Sequence, residues 1–356
     1  MTPQSALHTL HSALLSLLLP LALLGCEELR GPQAIRLSLI HGEESHWFQG
    51  AAKWKELVEA QAPGRYQIEI IPGAERSGRS QATQLQMLRQ GQLDACLESA
   101  VFLATLDPRW TAFAFPWLFP DQATADAVCD GPIGEELLKH LADYNLVGLA
   151  CGANGFRQIT NNLRPIRAPN DLKSLTIAIP HGLPPQVIEC FGAHAIRTEP
   201  ADLLPALERN EVNGQENPLA TLHAAKLRAA QKHLTLWDYA YDPLILLVNR
   251  DVWYSLSGPD QRLLREAARQ AMRHTRRLAA EADASLPAAL EAEGMTVTRL
   301  KPIEKDALKV TAQAAVRKHF EATAGNAFLE RLEDAVERAA RELKAREREA
   351  GGQSPE

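Results

Sequence analysis

The stretch that decides the fold runs from Ile35 to Ile70 and reads IRLSLIHGEESHWFQGAAKWKELVEAQAPGRYQIEI. Ile35, Leu37 and Leu39 alternate with Arg36 and Ser38, a period of two that predicts a half-buried strand. Phe48, Ala51, Ala52 and Val58 then fall at helical spacing within residues 47–60. Pro63-Gly64 breaks that helix, and Tyr66, Ile68 and Ile70 alternate again. The chain therefore opens as strand, helix, strand. Short apolar runs at Leu93–Leu97, Leu146–Cys151, Thr176–Ile179 and Leu244–Val248 lie between helical stretches. They extend the reading to an α/β architecture with helix-covered sheets.

Composition sets the scale around this core. The chain has 356 residues, 46% hydrophobic and 23% charged, which excludes a disordered or collagen-like polymer. At about 150 residues per domain the length allows two domains and a cleft between them. Lys plus Arg number 38 against 44 Asp plus Glu, a formal charge of -6, and no basic run offsets it. Nucleic acid is therefore excluded as an expected partner.

The two ends read differently from the middle. Ala13 to Gly25 is almost continuously apolar and leads into Cys26. That run is too short for a bilayer core of about 30 Å, whose helix needs about 20 residues. A cleaved export signal over residues 1–25 is expected, although Met1 to His11 lacks Lys and Arg. The remaining cysteines, Cys96, Cys129, Cys151 and Cys190, show no Cys-x-x-Cys pairing, so a zinc site is not expected and buried free thiols are. Beyond Pro259, apolar residues from Leu263 to Leu290 recur at three- and four-residue steps, predicting a helix long enough to brace two domains, with Pro287 as a kink or end. Arg273 to Arg277 within it reads as a solvated face. From Ala335 the chain is highly charged, a surface helix fraying into a tail.

Motifs for chemistry are few. The sequence has no G-x-S-x-G elbow, phosphate loop, H-E-x-x-H or G-x-G-x-x-G, and no cofactor is expected. His41-Gly42-Glu43-Glu44-Ser45-His46 follows the first strand; its polar groups are expected to line a cleft or to cap the next helix through Ser45 or Glu44. In Asn154-Gly155-Phe156-Arg157-Gln158 an Arg stands among amides and glycines after an apolar strand. A guanidinium there would grip a carboxylate through two parallel charge-assisted bonds. Asn213-Gly214-Gln215-Glu216-Asn217-Pro218 combines a turn with amides suited to a ligand's oxygens.

These segments, taken in order with Gly64-Arg65, Gly91-Gln92-Leu93-Asp94, Phe115-Pro116-Trp117-Leu118-Phe119 and Asp171-Leu172-Lys173, resemble the substrate-binding proteins of TRAP transporters. TRAP transporters are tripartite ATP-independent periplasmic carriers of organic acids, and this group is often called the C4-dicarboxylate-binding family. The resemblance implies a periplasmic-binding-protein-like clamshell of two α/β domains with hinge strands and a long domain-spanning helix. Residues 33–154 and 243–282 would form domain I, residues 155–242 and 283–335 domain II, and residues 336–356 a charged tail. It further implies a receptor, not an enzyme, that delivers a carboxylate to membrane permease subunits. The ending at Cys26 resembles a bacterial lipoprotein signal, so the resemblance implies lipidation of Cys26 and attachment to the membrane from the periplasmic side. The family's carboxylate-clamping Arg falls on Arg157 and its ligand-contacting Asn on Asn217. His46, Glu98 and Ser99 fall where loops of the first domain reach the pocket.

One departure bears on the ligand. The family commonly carries a second cleft Arg two residues before a hydrophobic-Pro pair, and Ala178 stands in its place here. Either the ligand is bulkier or less anionic than a C4-dicarboxylate, or His181 or Arg197 supplies the missing donor. Trp237, Tyr239 and Tyr241, before a strand expected to cross between domains, are candidates for stacking on the ligand or for stiffening a hinge. Two other readings remain: a ligand-binding subunit that reports to a membrane sensor, and an exported enzyme built on Glu98 and His46.

Overall fold

The computed structural model describes residues 31–74 and 78–351; the expected signal and Cys26 lie outside them. Ten strands follow one another as β1 (Gln33–Ser38), β2 (Tyr66–Ile71), β3 (Ala95–Ser99), β4 (Leu146–Asn161), β5 (Thr176–Ile179), β6 (His194–Arg197), β7 (Gly214–Pro218), β8 (His233–Leu236), β9 (Tyr241–Asn249) and β10 (Thr296–Arg299). The opening reading holds: β1 and β2 are parallel, with Ile35 opposite Ile68, and helix His46–Gln61 lies between them.

β4 belongs to two sheets. Its residues 146–156 pair antiparallel with β9, completing the order β2-β1-β3-β9-β4. Its residues 157–161 pair with β7, beyond which lie β5 and β6, while Ile159–Asn161 also pair with β8, which carries β10. Register shifts occur between Gly148 and Ala150 and between Ala153 and Gly155. Gly155 has φ +118, a conformation that costs a side chain dearly. The irregular backbone thus falls where the strand passes from one lobe to the other.

A helix of 35 residues, Gly258–Ala292, spans both lobes, about 52 Å at 1.5 Å per residue. Leu264, Ala267, Ala271 and Met272 enter the core beneath β1–β3, and Leu290 joins the separate core of the second lobe with Leu203, Leu207 and Leu222. It lies close enough to β4 that a Cβ on Gly152 would stand 2.1 Å from Thr275 Oγ1. Pro287 neither ends nor breaks the helix.

Within this helix, Arg276 corrects the expectation of a wholly solvated face. It is buried, ion-paired with Asp130 at 2.6 Å and Asp126 at 3.2 Å, and donates to the Cys151 carbonyl at 2.8 Å. An isolated run of basic letters does not reveal acids that arrive from residues 126–130. The C-terminal helix Asn326–Gly351 also departs from a second-domain segment followed by a tail. Phe328, Leu329, Leu332 and Val336 pack into a core shared with Phe113 and Phe115, and Arg331 pairs with Glu136 at 2.7 Å. Cys96, Cys129 and Cys151 are buried thiols, and Cys190 is half-buried.

Candidate functional site

The two lobes meet around a cavity of about 60 Å³. Trp47, Gln81, Ser99 and Phe102 line it from the first lobe. Asn154 and Arg157 come from β4, and Ala178, Leu203, Asn217 and Thr221 from the second lobe. Ser45 positions the first wall: its hydroxyl accepts from Phe48 N–H at 3.2 Å and donates to the Gly42 carbonyl at 2.7 Å, capping helix His46–Gln61 as expected.

Arg157 sits at the centre of the polar side and is 2% exposed. β4 sets it opposite Pro218, so the neighbouring Glu216 and Asn217 of β7 reach its guanidinium. Nε donates to Glu216 Oε2 at 2.5 Å and Nη2 to Glu216 Oε1 at 2.9 Å, a two-pronged pair. Nη2 also donates to the Glu216 carbonyl and to Asn217 Oδ1, at 3.0 and 3.3 Å. Nη1 donates to Asp242 Oδ2 at 2.8 Å. Burial opposes the charge on Arg157, but Glu216 and Asp242 more than offset it and raise its pKa. Burial also pushes the Glu216 carboxyl up, against the pull of Arg157.

Asp242 ties the lobes together. It accepts from Ser99 Oγ at 2.7 Å and from Asn154 Nδ2 at 2.8 Å. Asn154 in turn accepts from Trp47 Nε1 at 2.9 Å and from Thr221 Oγ1 at 3.0 Å. A side chain of β4 therefore receives donors from both jaws. Tyr239 donates its hydroxyl to Glu216 Oε2 at 2.8 Å.

Of the residues expected at the site, Arg157, Asn217 and Ser99 line the cavity; the others do not. His46 is buried at the first position of its helix, neither ring nitrogen has a hydrogen-bond partner, and burial drives its pKa down to about 3. Glu98 lies directly behind Ser99, accepting from Gln81 Nε2 at 2.7 Å and from Ser99 N–H at 3.0 Å. Burial raises its pKa to about 8. Glu98 and His46 share no hydrogen bond, so the pair proposed for an exported enzyme is not assembled.

Trp237 is fully buried in an aromatic cluster, 4.6 Å from Tyr239 and 5.8 Å from Trp117 between ring centroids, and its own carbonyl accepts from Trp117 Nε1. It packs within that cluster ahead of β9 and does not line the cavity. Tyr239 and Tyr241 are equally buried. His181 and Arg197 are also corrected. Arg197 is exposed and donates to the His181 carbonyl at 3.2 Å, while the His181 ring lies 3.4 Å from Glu199, and neither reaches the cavity. Trp47, Asn154, Thr221 and Asp242 were not among the expected site residues. Asn154 lies within the amide-rich segment around Arg157, and Asp242 carries a signal as one acid heading the apolar run of β9.

A cavity between two lobes on a shared strand that meets a single buried guanidinium defines a solute-binding receptor. The chain belongs to the bacterial extracellular solute-binding protein family 7, whose model matches residues 37–323. A solute-binding protein of Verminephrobacter eiseniae is 33% identical over 304 residues, 85% of this chain and 89% of that one. The 2,3-diketo-L-gulonate-binding periplasmic protein of Escherichia coli is 30% identical over 251 residues, 70% of this chain and 76% of that one. Among solved structures, a TRAP periplasmic solute-binding protein from Ralstonia eutropha with bound (S)-2-acetolactate matches with TM-score 0.80 and 32% identity, over 86% of this chain and 99% of that one. The sugar acid binding protein of Advenella mimigardefordensis in complex with galactonate matches with TM-score 0.82 and 26% identity, over 87% and 99%. Among the described residues no helix is long and apolar enough to cross a membrane.

Proposed function

We propose that this protein is the periplasmic receptor of a TRAP transporter, capturing an organic acid between its lobes and delivering it to membrane permease subunits. The observation that carries the reading is the meeting of Arg157 and Asn217 with Ser99 and Trp47 around one cavity. In this reading the acid's carboxylate takes the second hydrogen of Arg157 Nη1, for which Asp242 is the one acceptor among the described residues. The Asn217 amide supplies the adjoining contact. Closure follows because the ligand touches both jaws, and only such differential contact shifts a population toward the closed form. A lipid on Cys26 would hold the receptor at the membrane near its permease.

The test is thermal unfolding of the mature protein against a panel of organic acids, since a ligand bound only by the folded state raises the transition temperature. Arg157→Lys and Asn217→Ala should each abolish or sharply reduce the shift given by the best acid. Parent-like binding by both variants would remove the site from consideration.

A further inference from the structure

The cavity has two unlike sides. On one, Arg157 is the only Lys or Arg among the lining residues, and it is already paired with two carboxylates. On the other, Ala178, Leu203 and Leu227, buried members of the second lobe's apolar core, form the wall, with Ala225 packed against them. Pro180 and Pro200 extend that wall, and Phe102 faces it from the first lobe.

His41 also lines the cavity, and three other polar side chains each give one hydrogen to an internal partner. Gln81 gives its amide to Glu98, Thr198 its hydroxyl to the Ile196 carbonyl, and Thr221 its hydroxyl to Asn154. The side chains that stood to replace the cation missing at Ala178, namely His181 and Arg197, do not line the cavity.

We propose that the ligand is a small monocarboxylic acid with a branched aliphatic remainder, its carboxylate at Arg157 and its branch against Ala178, Leu203, Ala225 and Leu227. The proposal rests on the receptor reading above. A second carboxylate would meet no second Lys or Arg among the lining residues, and an unpaired buried charge is far costlier than a buried uncharged group. The hydroxyls of a sugar acid would face carbon and lose their hydrogen bonds to water without replacement. A branched alkyl group loses nothing there and gains the transfer of its methyl groups out of water.

Calorimetric titration of the mature full chain with 2-oxoisovalerate, 2-hydroxyisovalerate, 2-oxo-4-methylpentanoate, succinate, malate and galactonate tests the assignment. At least one branched monocarboxylate should bind about tenfold or more tighter than succinate, malate and galactonate, the margin expected when a buried charge or hydroxyl goes unpaired. Ala178→Arg should weaken the branched acids and strengthen succinate. Succinate, malate or galactonate binding the parent protein as tightly as the branched acids would overturn the ligand class and leave the receptor reading intact. Binding by none of the six would overturn the class, and failure of a wider panel of acids would take the receptor reading with it. The comparison on the parent protein decides the matter even if Ala178→Arg does not fold.

Discussion

Gly182 of the second lobe lies so close to Val101 of the first that a Cβ there would stand 1.6 Å from the Val101 carbonyl oxygen. The two backbones touch with no room for a methyl group. Gly182→Ala should therefore hinder closing of the jaws while leaving each lobe's core untouched. An overpacked contact typically costs about 1–3 kcal/mol, roughly a 5- to 150-fold loss of ligand affinity. Calorimetric titration against the best ligand checks the loss, and an unchanged unfolding temperature without ligand shows that the cores are intact.

Arg157 and Glu216 form a pair buried on both sides, at 3% and 0% side-chain exposure. Deleting Glu216 leaves Arg157 with Asp242 alone and removes two buried charge-assisted hydrogen bonds, each worth about 1.5–3 kcal/mol. Glu216→Ala should lower the denaturant midpoint by a corresponding amount, whereas Glu211→Ala, at an exposed ion pair with Arg209, should shift it by about 0–1 kcal/mol. Equal effects from the two substitutions would contradict the burial argument.

Trp47 spans the gap through Nε1, which donates to Asn154. Trp47→Phe keeps most of the apolar surface and removes that donor. One hydrogen bond lost at a closed interface is worth about 1 kcal/mol, so affinity should fall roughly fivefold, again by titration, with a smaller effect on the ligand-free protein.

Glu98 makes stability depend on pH. Its carboxyl sits at about 8 in the folded protein against an ordinary value of 4.5, because burial disfavours its charge. Between those values the folded state holds a proton that the unfolded chain has released, so the unfolded state binds fewer protons and stability falls as pH rises. This contribution is fully present below about 4.5 and is lost as pH rises through about 8. Unfolding temperatures measured from pH 5 to 9 should decline, and Glu98→Gln, which keeps the contacts to Gln81 and Ser99 without the acid, should flatten that decline. A parent and variant with parallel profiles would exclude Glu98 as the source.

The β-α-β opening, the spanning helix and the position of Arg157 were legible because each depends on local periodicity or on a short motif whose order along the chain is preserved. The Ser45 cap was legible for the same reason, since the group it serves is three residues away. The errors concern side chains whose partners arrive from far along the sequence. Trp237 and His181 looked available because the residues that cover or hold them are not marked by the local pattern. Trp117 closes over the first across 120 residues, and the turn after β5 places the second beside Glu199. Asp242 was missed for the converse reason: its worth comes from Ser99, Asn154 and Arg157, none of them within 80 residues.

β4 runs as one uninterrupted segment from Leu146 to Asn161 through the sheets of both halves. Melting either half must therefore fray a strand on which the other depends. Such a molecule should absorb heat in a single cooperative peak instead of two separate ones, and severing the chain inside this spine should leave neither fragment able to refold alone.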